Sequence, residues 1–249
     1  MASYLGVDWA RGCWVVAKTG DDHLVTTEPS ILNVWHEHGR DDDVQSMLVD
    51  IPIGLPDEGV RACDQEARDR LGANGNSAFQ IPRREVVEMD AYPEARKANS
   101  DSLGSQSWWL FPRIREVDVF LQRHDEALSK TYESHPELCF RALADRELES
   151  NDTEDGLEER QELLESGTPL CEHVQELLDE REDAEWHHRI SKVRRDDVLD
   201  AAVLADTAKR LELSPNQTRG DYPALPNGYE TGYDSTLGMY PEIVIPHYE

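Results

Sequence analysis

Two aspartates three residues apart, Asp197 and Asp200, stand in a run that is otherwise small and apolar: Asp196-Asp197-Val198-Leu199-Asp200-Ala201-Ala202-Val203-Leu204-Ala205. The run reads as a strong helix, because alanine and leucine dominate, the Asp pair serves the first turn, and Lys209-Arg210 lie where the dipole favours cations. Helical spacing then puts Asp197 and Asp200 on one face, one turn apart. Two carboxylates stacked on a small-residue helix can lie close to a sheet and jointly hold a divalent cation. The competing account makes Asp196 or Asp197 a helix cap and turns Asp200 toward solvent.

Three further acids repeat a different pattern, each closing an apolar stretch. Asp8 ends Tyr4-Leu5-Gly6-Val7, Asp50 ends Ser46-Met47-Leu48-Val49 directly before Ile51-Pro52, and Glu133 ends Ser129-Lys130-Thr131-Tyr132 before Ser134-His135-Pro136-Glu137. Any one of them alone also fits a turn or cap residue. Together with Asp197 and Asp200 they form a candidate catalytic set. Each close carboxylate pair would repel by about 1 kcal/mol in water and about 4 kcal/mol at an effective dielectric of 20, so convergence requires a counter-charge. Hard oxygen ligands suit Mg²⁺ or Mn²⁺. Two such ions about 3.5 to 4 Å apart activate water and stabilise a leaving 3′-oxygen in phosphodiester hydrolysis, with no side chain acting as nucleophile.

The elements that must position these acids are legible in order. Strands at Tyr4–Trp9, Cys13–Ala17 and about His23–Thr27, joined by tight turns, predict an antiparallel meander. A short helix follows around Ile31–His38, then a buried strand at Ser46–Pro52. Helices are predicted at about Asp57–Leu71 and Pro93–Ser102, and a further strand at Ser129–Glu133. Two solvated helices between Leu143 and Trp186, broken at Gly167-Thr168-Pro169, lead into the Asp197 helix. Three antiparallel strands followed by parallel ones is the ribonuclease-H-like plan. The fold class is therefore α/β, a mixed sheet with flanking helices. The chain reads as one domain over 1–249, with 57–126 as a mainly helical insertion and 214–249 as a Pro/Gly/Tyr-rich tail ending in an edge strand near Glu242–Ile245.

Substrate contacts are sought among cations and amides near this framework: Arg83 and Arg84 in a loop, and Gln106 and Arg113 (with Arg115) in Ser105-Gln106-Ser107-Trp108-Trp109-Leu110-Phe111-Pro112-Arg113-Ile114-Arg115. Interleaved rings and guanidinium groups suit bases and phosphates. The apolar members Trp108, Leu110, Ile114, Val117 and Leu121 read instead as a buried helix face.

Composition bounds the partners. The formal net charge is −27, from 52 acidic against 25 basic residues, and only five of the latter are lysines. Acid spread along the whole chain reads as the surface of a halophile's protein, in a salt-rich cytoplasm. Such charge disfavours a polyanion at low salt, but in molar salt the screening length falls to about 3 Å. Cys13, Cys63, Cys139 and Cys171 are scattered and read as reduced, mostly buried thiols of a cytoplasmic protein. No apolar run is long enough for a membrane span. His36, His38, His187 and His188 lack metal-ligand spacing and read as surface histidines.

The quoted motifs also resemble a known family. Gly6-Val7-Asp8-Trp9-Ala10, Val49-Asp50-Ile51-Pro52-Ile53-Gly54-Leu55, Ser105-Gln106, Arg113-Ile114-Arg115-Glu116-Val117-Asp118, Glu133-Ser134-His135-Pro136-Glu137, Asp196-Asp197-Val198-Leu199-Asp200-Ala201 and the Leu237-Gly238-Met239 to Pro246 ending are similar to those of the domain-of-unknown-function 429 family. That resemblance implies a predicted nuclease of ribonuclease-H-like fold. The Asp-x-x-Asp-Ala helix is also similar to that of Holliday-junction resolvases, which implies Asp8, Asp50, Asp197 and Asp200 as metal ligands, while Glu133 fits only the family motif. Nucleic acid, DNA or RNA, is the implied partner, with Mg²⁺ or Mn²⁺ as cofactor. The alternatives are a non-catalytic member of the fold that binds nucleic acid or protein, and an actin-like phosphotransferase. The latter also begins with a Gly-x-Asp strand but needs glycine-rich phosphate loops and a second domain.

Overall fold

The computed structural model describes residues 2–183, 195–215, 217–218, 220–227 and 231–246. Trp186, His187, His188 and Arg194 lie outside the described residues. Strands β1 (Ser3–Trp9), β2 (Trp14–Thr19) and β3 (Leu24–Glu28) form the expected meander, with Val7 opposite Val16 and Val16 opposite Thr26. Helix α1 (Ile31–Val34) starts where Ser30 Oγ accepts a hydrogen bond from the Asn33 N–H, and it runs on into a π-helical turn at Trp35–Gly39. Strand β4 (Val44–Val49) then pairs with β1 in parallel, and β5 (Thr131–Glu133) pairs with β4 in parallel. The sheet order is β3-β2-β1-β4-β5, a mixed sheet compatible with the ribonuclease-H-like plan.

Between β4 and β5 the chain makes α2 (Ala62–Leu71), a 3₁₀ turn (Gly72–Ser77), α3 (Arg84–Val87), α4 (Tyr92–Ala98), α5 (Ser105–Leu121) and α6 (Asp125–Lys130). After β5 come α7 (Pro136–Ala144), α8 (Glu154–Gly167), α9 (Cys171–Asp183) and α10 (Arg195–Arg210). A two-stranded ribbon of β6 (Ala224–Leu225) and β7 (Ile243–Val244) follows, and Val244 also bridges to Ser134 at the end of β5. No helix among the described residues is long and apolar enough to cross a membrane.

Several boundaries differ from the sequence expectation for local reasons. The helix expected from Asp57 begins only at Ala62, because Gly59 adopts a positive φ of 82° and the preceding chain is tied to the tail by Asp57 N–H donating to Tyr233 O. Ser129 and Lys130 belong to a helix rather than to a strand. Acids fill that helix's first turn, and Lys130 Nζ reaches Glu126 Oε1 at 3.2 Å. β5 is left with three residues, which pair with Met47–Val49. The helix expected over Pro93–Ser102 stops at Ala98, before two positive-φ residues, Ser100 and Asp101.

The sheet separates two cores. On one face Val15, Ala17 and Leu48 meet Val198, Ala201, Ala202 and Ala205 of α10, with Phe140 and Leu164 behind them. On the other, Leu5, Val7, Val16 and Val49 meet α1 and the buried face of α5, where Phe111, Ile114, Val117 and Leu121 lie. Ile114, Val117 and Leu121 are thus buried as expected, while Trp108 and Leu110 are only partly covered. The closest approach of helix to sheet is at Gly6. A Cβ built there would lie 2.0 Å from Ala201 O and 2.3 Å from Ala205 N, so only glycine lets α10 rest on the β1 backbone.

A carboxylate-lined candidate active site

Strand register brings the first acids together. Val7 pairs with Val49, and the Asp50 N–H extends that parallel ladder by donating to Val7 O at 3.0 Å. Asp8 and Asp50 therefore leave the ends of adjacent strands side by side. By the alternation of the pleat, Asp8 shares the face of Gly6 and Asp50 that of Leu48, which is the face covered by α10. The contact at Gly6 sets α10 so that Asp197 in its first turn and Asp200 one turn later reach the same end of the sheet.

A cavity of about 190 Å³ lies there, lined by Asp8, Asp50, Glu133, Asp197 and Asp200 together with Asp64 and His135. Trp9, Phe79 and Leu110 form its apolar wall. None of the described lining residues is lysine or arginine. Asp8 and Asp197 are buried, and Asp8 Oδ1 accepts from the Trp9 N–H at 2.7 Å. Asp50 and Asp200 meet the cavity with part of their surface but are otherwise enclosed by protein. Burial, then Glu133, Asp197 and Glu137, push the Asp50 carboxyl up to about 8. Burial, then Asp8, Glu137, Asp50 and Asp196, raise Asp200 well above the ordinary carboxylate range. Asp200 Oδ1 is buried with no hydrogen-bond partner. A carboxylate oxygen left so is costly unless something neutralises it.

Glu133 occupies a different position from Asp8 and Asp50. It pairs with Val49, so the pleat turns it to the opposite face from Asp50, and Ser134 takes the place on the α10 side. There Arg61 Nη2 reaches Glu133 Oε1 and Oε2 at 2.5 and 2.6 Å, and the Ile53 N–H donates to Oε2 at 2.6 Å. Burial pushes Glu133 up to about 7, while Arg61 and the Ile53 N–H draw it back down. The same guanidinium donates from Nε to Asp64 Oδ1 at 2.9 Å and from Nη1 to the Ile53 and Gly54 carbonyls at 2.8 Å.

Sequence reasoning singled out neither Arg61 nor Asp64: the two pair three residues apart like any helical ion pair, and the partner that ties them to the site, Glu133, lies 72 residues on. It also passed over His135, which lines the cavity with a buried Nδ1 that has no hydrogen-bond partner. Burial lowers the His135 pKa, against Glu137 and Asp64, which draw it up. Its one sequence signal was its place between the β5 acid and Pro136. Among the described residues, no three His, Cys, Asp or Glu side chains already stand in an arrangement that could hold a metal ion.

The sequence model of the family described as a protein of unknown function, DUF429, matches residues 6–228. The chain belongs to the DUF429 family. No curated protein and no solved structure gives a match. In this DUF429 chain the four candidate substrate-binding residues have separate fates. Arg84 is spent inside the molecule, donating to Asp118 at 2.6 and 3.0 Å and to Asp234 at 2.9 and 3.1 Å, which ties α3 to α5 and the tail. Arg83 is half-exposed, pairs with Glu85 and lines a separate concavity with Gln80 and Asn99. Arg113 pairs with Glu116 and lies 4.3 Å from the centre of the Trp9 ring, beside the cavity. Gln106 is exposed in a second concavity that adjoins the first at Ser77 and Phe79. All four cysteines are free thiols, three of them buried.

Proposed function

We propose that this DUF429 protein hydrolyses phosphodiester bonds of nucleic acid with Mg²⁺ or Mn²⁺ held by Asp8, Asp50, Asp197 and Asp200. The observation that carries the reading is Asp200: an enclosed carboxylate with an unsatisfied oxygen, repelled by neighbouring acids, in a cavity whose described lining offers no cationic side chain. A divalent cation bound there supplies the missing positive charge, an activated water and stabilisation of the leaving oxygen. The chain's own part is positional. Strand ends fix Asp8 and Asp50, α10 fixes Asp197 and Asp200, and the Arg61 clasp holds Glu133 and Asp64 as the wall behind them. Trp9, Phe79 and Leu110 limit the water that reaches the acids.

The absence of a ready coordination sphere among the described residues favours a second reading, a non-catalytic member of the fold that binds nucleic acid or protein. Calorimetric titration of Mn²⁺ into wild type and Asp200→Asn, beside a cleavage panel of single-stranded, duplex and junction substrates in molar salt, separates the two. Hydrolysis requires Mn²⁺-dependent cleavage and metal binding that the substitution weakens. Metal binding untouched by the substitution, with every substrate intact, selects the binding module.

A further inference from the structure

The acidic cavity does not end at its own wall. At Ser77 and Phe79 it continues into a concavity of about 330 Å³ whose lining includes Asn74, Asn76, Asn151 and Gln106. Helix α5 spans both: Gln106 lines the outer concavity and Leu110, one turn on, lines the inner cavity. Trp109 lies beside them on the same face and is 75% exposed, the most exposed of the large hydrophobic side chains among the described residues.

Charge decides what this face can hold. Neither concavity has a lysine or arginine in its described lining. Three guanidinium groups of the surrounding framework are committed: Arg61 to Glu133 and Asp64, Arg113 to Glu116, and Arg160 to Glu137, which lines the outer concavity. The other acid there, Asp152, would repel a phosphate. The described lining thus offers a polyanion no cation, in a protein of formal charge −27. What the face does offer is rings and amides, which match the faces and edges of nucleobases.

We propose that the outer concavity and the exposed face of α5 hold a single-stranded nucleic acid by its bases, and lead it to the acidic cavity. The proposal rests on the hydrolase reading for what happens at the end of that path. Bases stack on Trp109 and Phe79 and hydrogen-bond to the side-chain amides, while the phosphates face outward. A duplex is excluded because its base faces and pairing edges are already used. Stacking also survives the salt that would screen an arginine–phosphate contact.

The test is fluorescence anisotropy in EDTA with labelled single-stranded DNA, single-stranded RNA, the matching duplex and an abasic strand of equal length. Expected are binding of a single strand, little binding of the duplex or abasic strand, and a shallow dependence on salt. Trp109→Ala should weaken single-strand binding by about fivefold to a hundredfold, the effect of one lost base stack, while Trp109→Phe retains most of it. Equal binding of the abasic strand or the duplex overturns the proposal, as does a Trp109→Ala variant that binds like wild type. Because Trp109 is exposed, its variants should melt with wild type. Mn²⁺ cleavage measured on the same samples keeps the two readings apart. Trp109-dependent binding without cleavage rejects the hydrolase and keeps the groove. Cleavage indifferent to Trp109→Ala rejects the groove and keeps the hydrolase.

Discussion

Glu133 and Asp200 are enclosed acids on the same cavity, and their surroundings are opposite. Glu133 is clasped by Arg61 and a backbone N–H, whereas Asp200 is pressed by other acids and keeps an unsatisfied oxygen. The clasped arrangement recurs outside the cavity lining, where Arg160 donates to both oxygens of Glu137 and Arg84 holds Asp118 and Asp234. In a chain with 52 acids and 25 bases, arginine placed inside the molecule is a scarce resource. Where it is spent, the acid belongs to the framework. Where it is withheld, as at Asp200, the acid keeps an oxygen without a hydrogen-bond partner.

The largest expected effect breaks a clasp. Arg61→Met strands two buried carboxylates at once and should cost about 3 to 5 kcal/mol, read from urea unfolding in high salt. A loss below about 1 kcal/mol would mean that Glu133 and Asp64 do not depend on their shared guanidinium. Asp200→Asn should act in the opposite direction without metal, raising stability by about 1 kcal/mol and Tm by about 2 to 4 °C, while removing the thermal shift that Mg²⁺ gives wild type. Lower metal-free stability with an intact Mg²⁺ response would contradict this.

The contrast also predicts a pH dependence. Folding raises the Asp50 pKa from 3.8 to about 8, so the native state binds more protons than the unfolded chain between those values. This contribution is present in full below the lower value and is lost as pH rises through the higher one. Metal-free stability should therefore fall across that window, and Asp50→Asn should flatten the decline; identical slopes would place the titration elsewhere. The smallest effect belongs to the half-exposed pair of Arg83 and Glu85, where Arg83→Ala should stay within about 0.5 kcal/mol of wild type.

Much of the framework was legible before the structure. The meander follows from alternation and turns, and α10 from its alanines and the acids of its first turn. The pairing of Asp8 with Asp50 needs only that their strands be neighbours. In sequence Glu133 belongs with them, because it too is an acid at a strand end before a breaker, a pattern that carries no information about pleat parity. Only the register, Val49 opposite Glu133, reveals that it faces the other way. Arg84 looked like a substrate contact because a loop cation resembles one in sequence. Its partners Asp118 and Asp234 lie 34 and 150 residues away, which local spacing cannot show. His135 is almost silent in sequence, because a single histidine has no periodicity to mark it.

The seat of α10 on Gly6 has a mechanical consequence. At that one point the helix meets bare main chain, with no side chain between to absorb error, so β1 serves as the datum from which the height of Asp200 above the sheet is measured. One methyl group at position 6 would act as a wedge, lifting the helix and mistuning the acids without altering any of them.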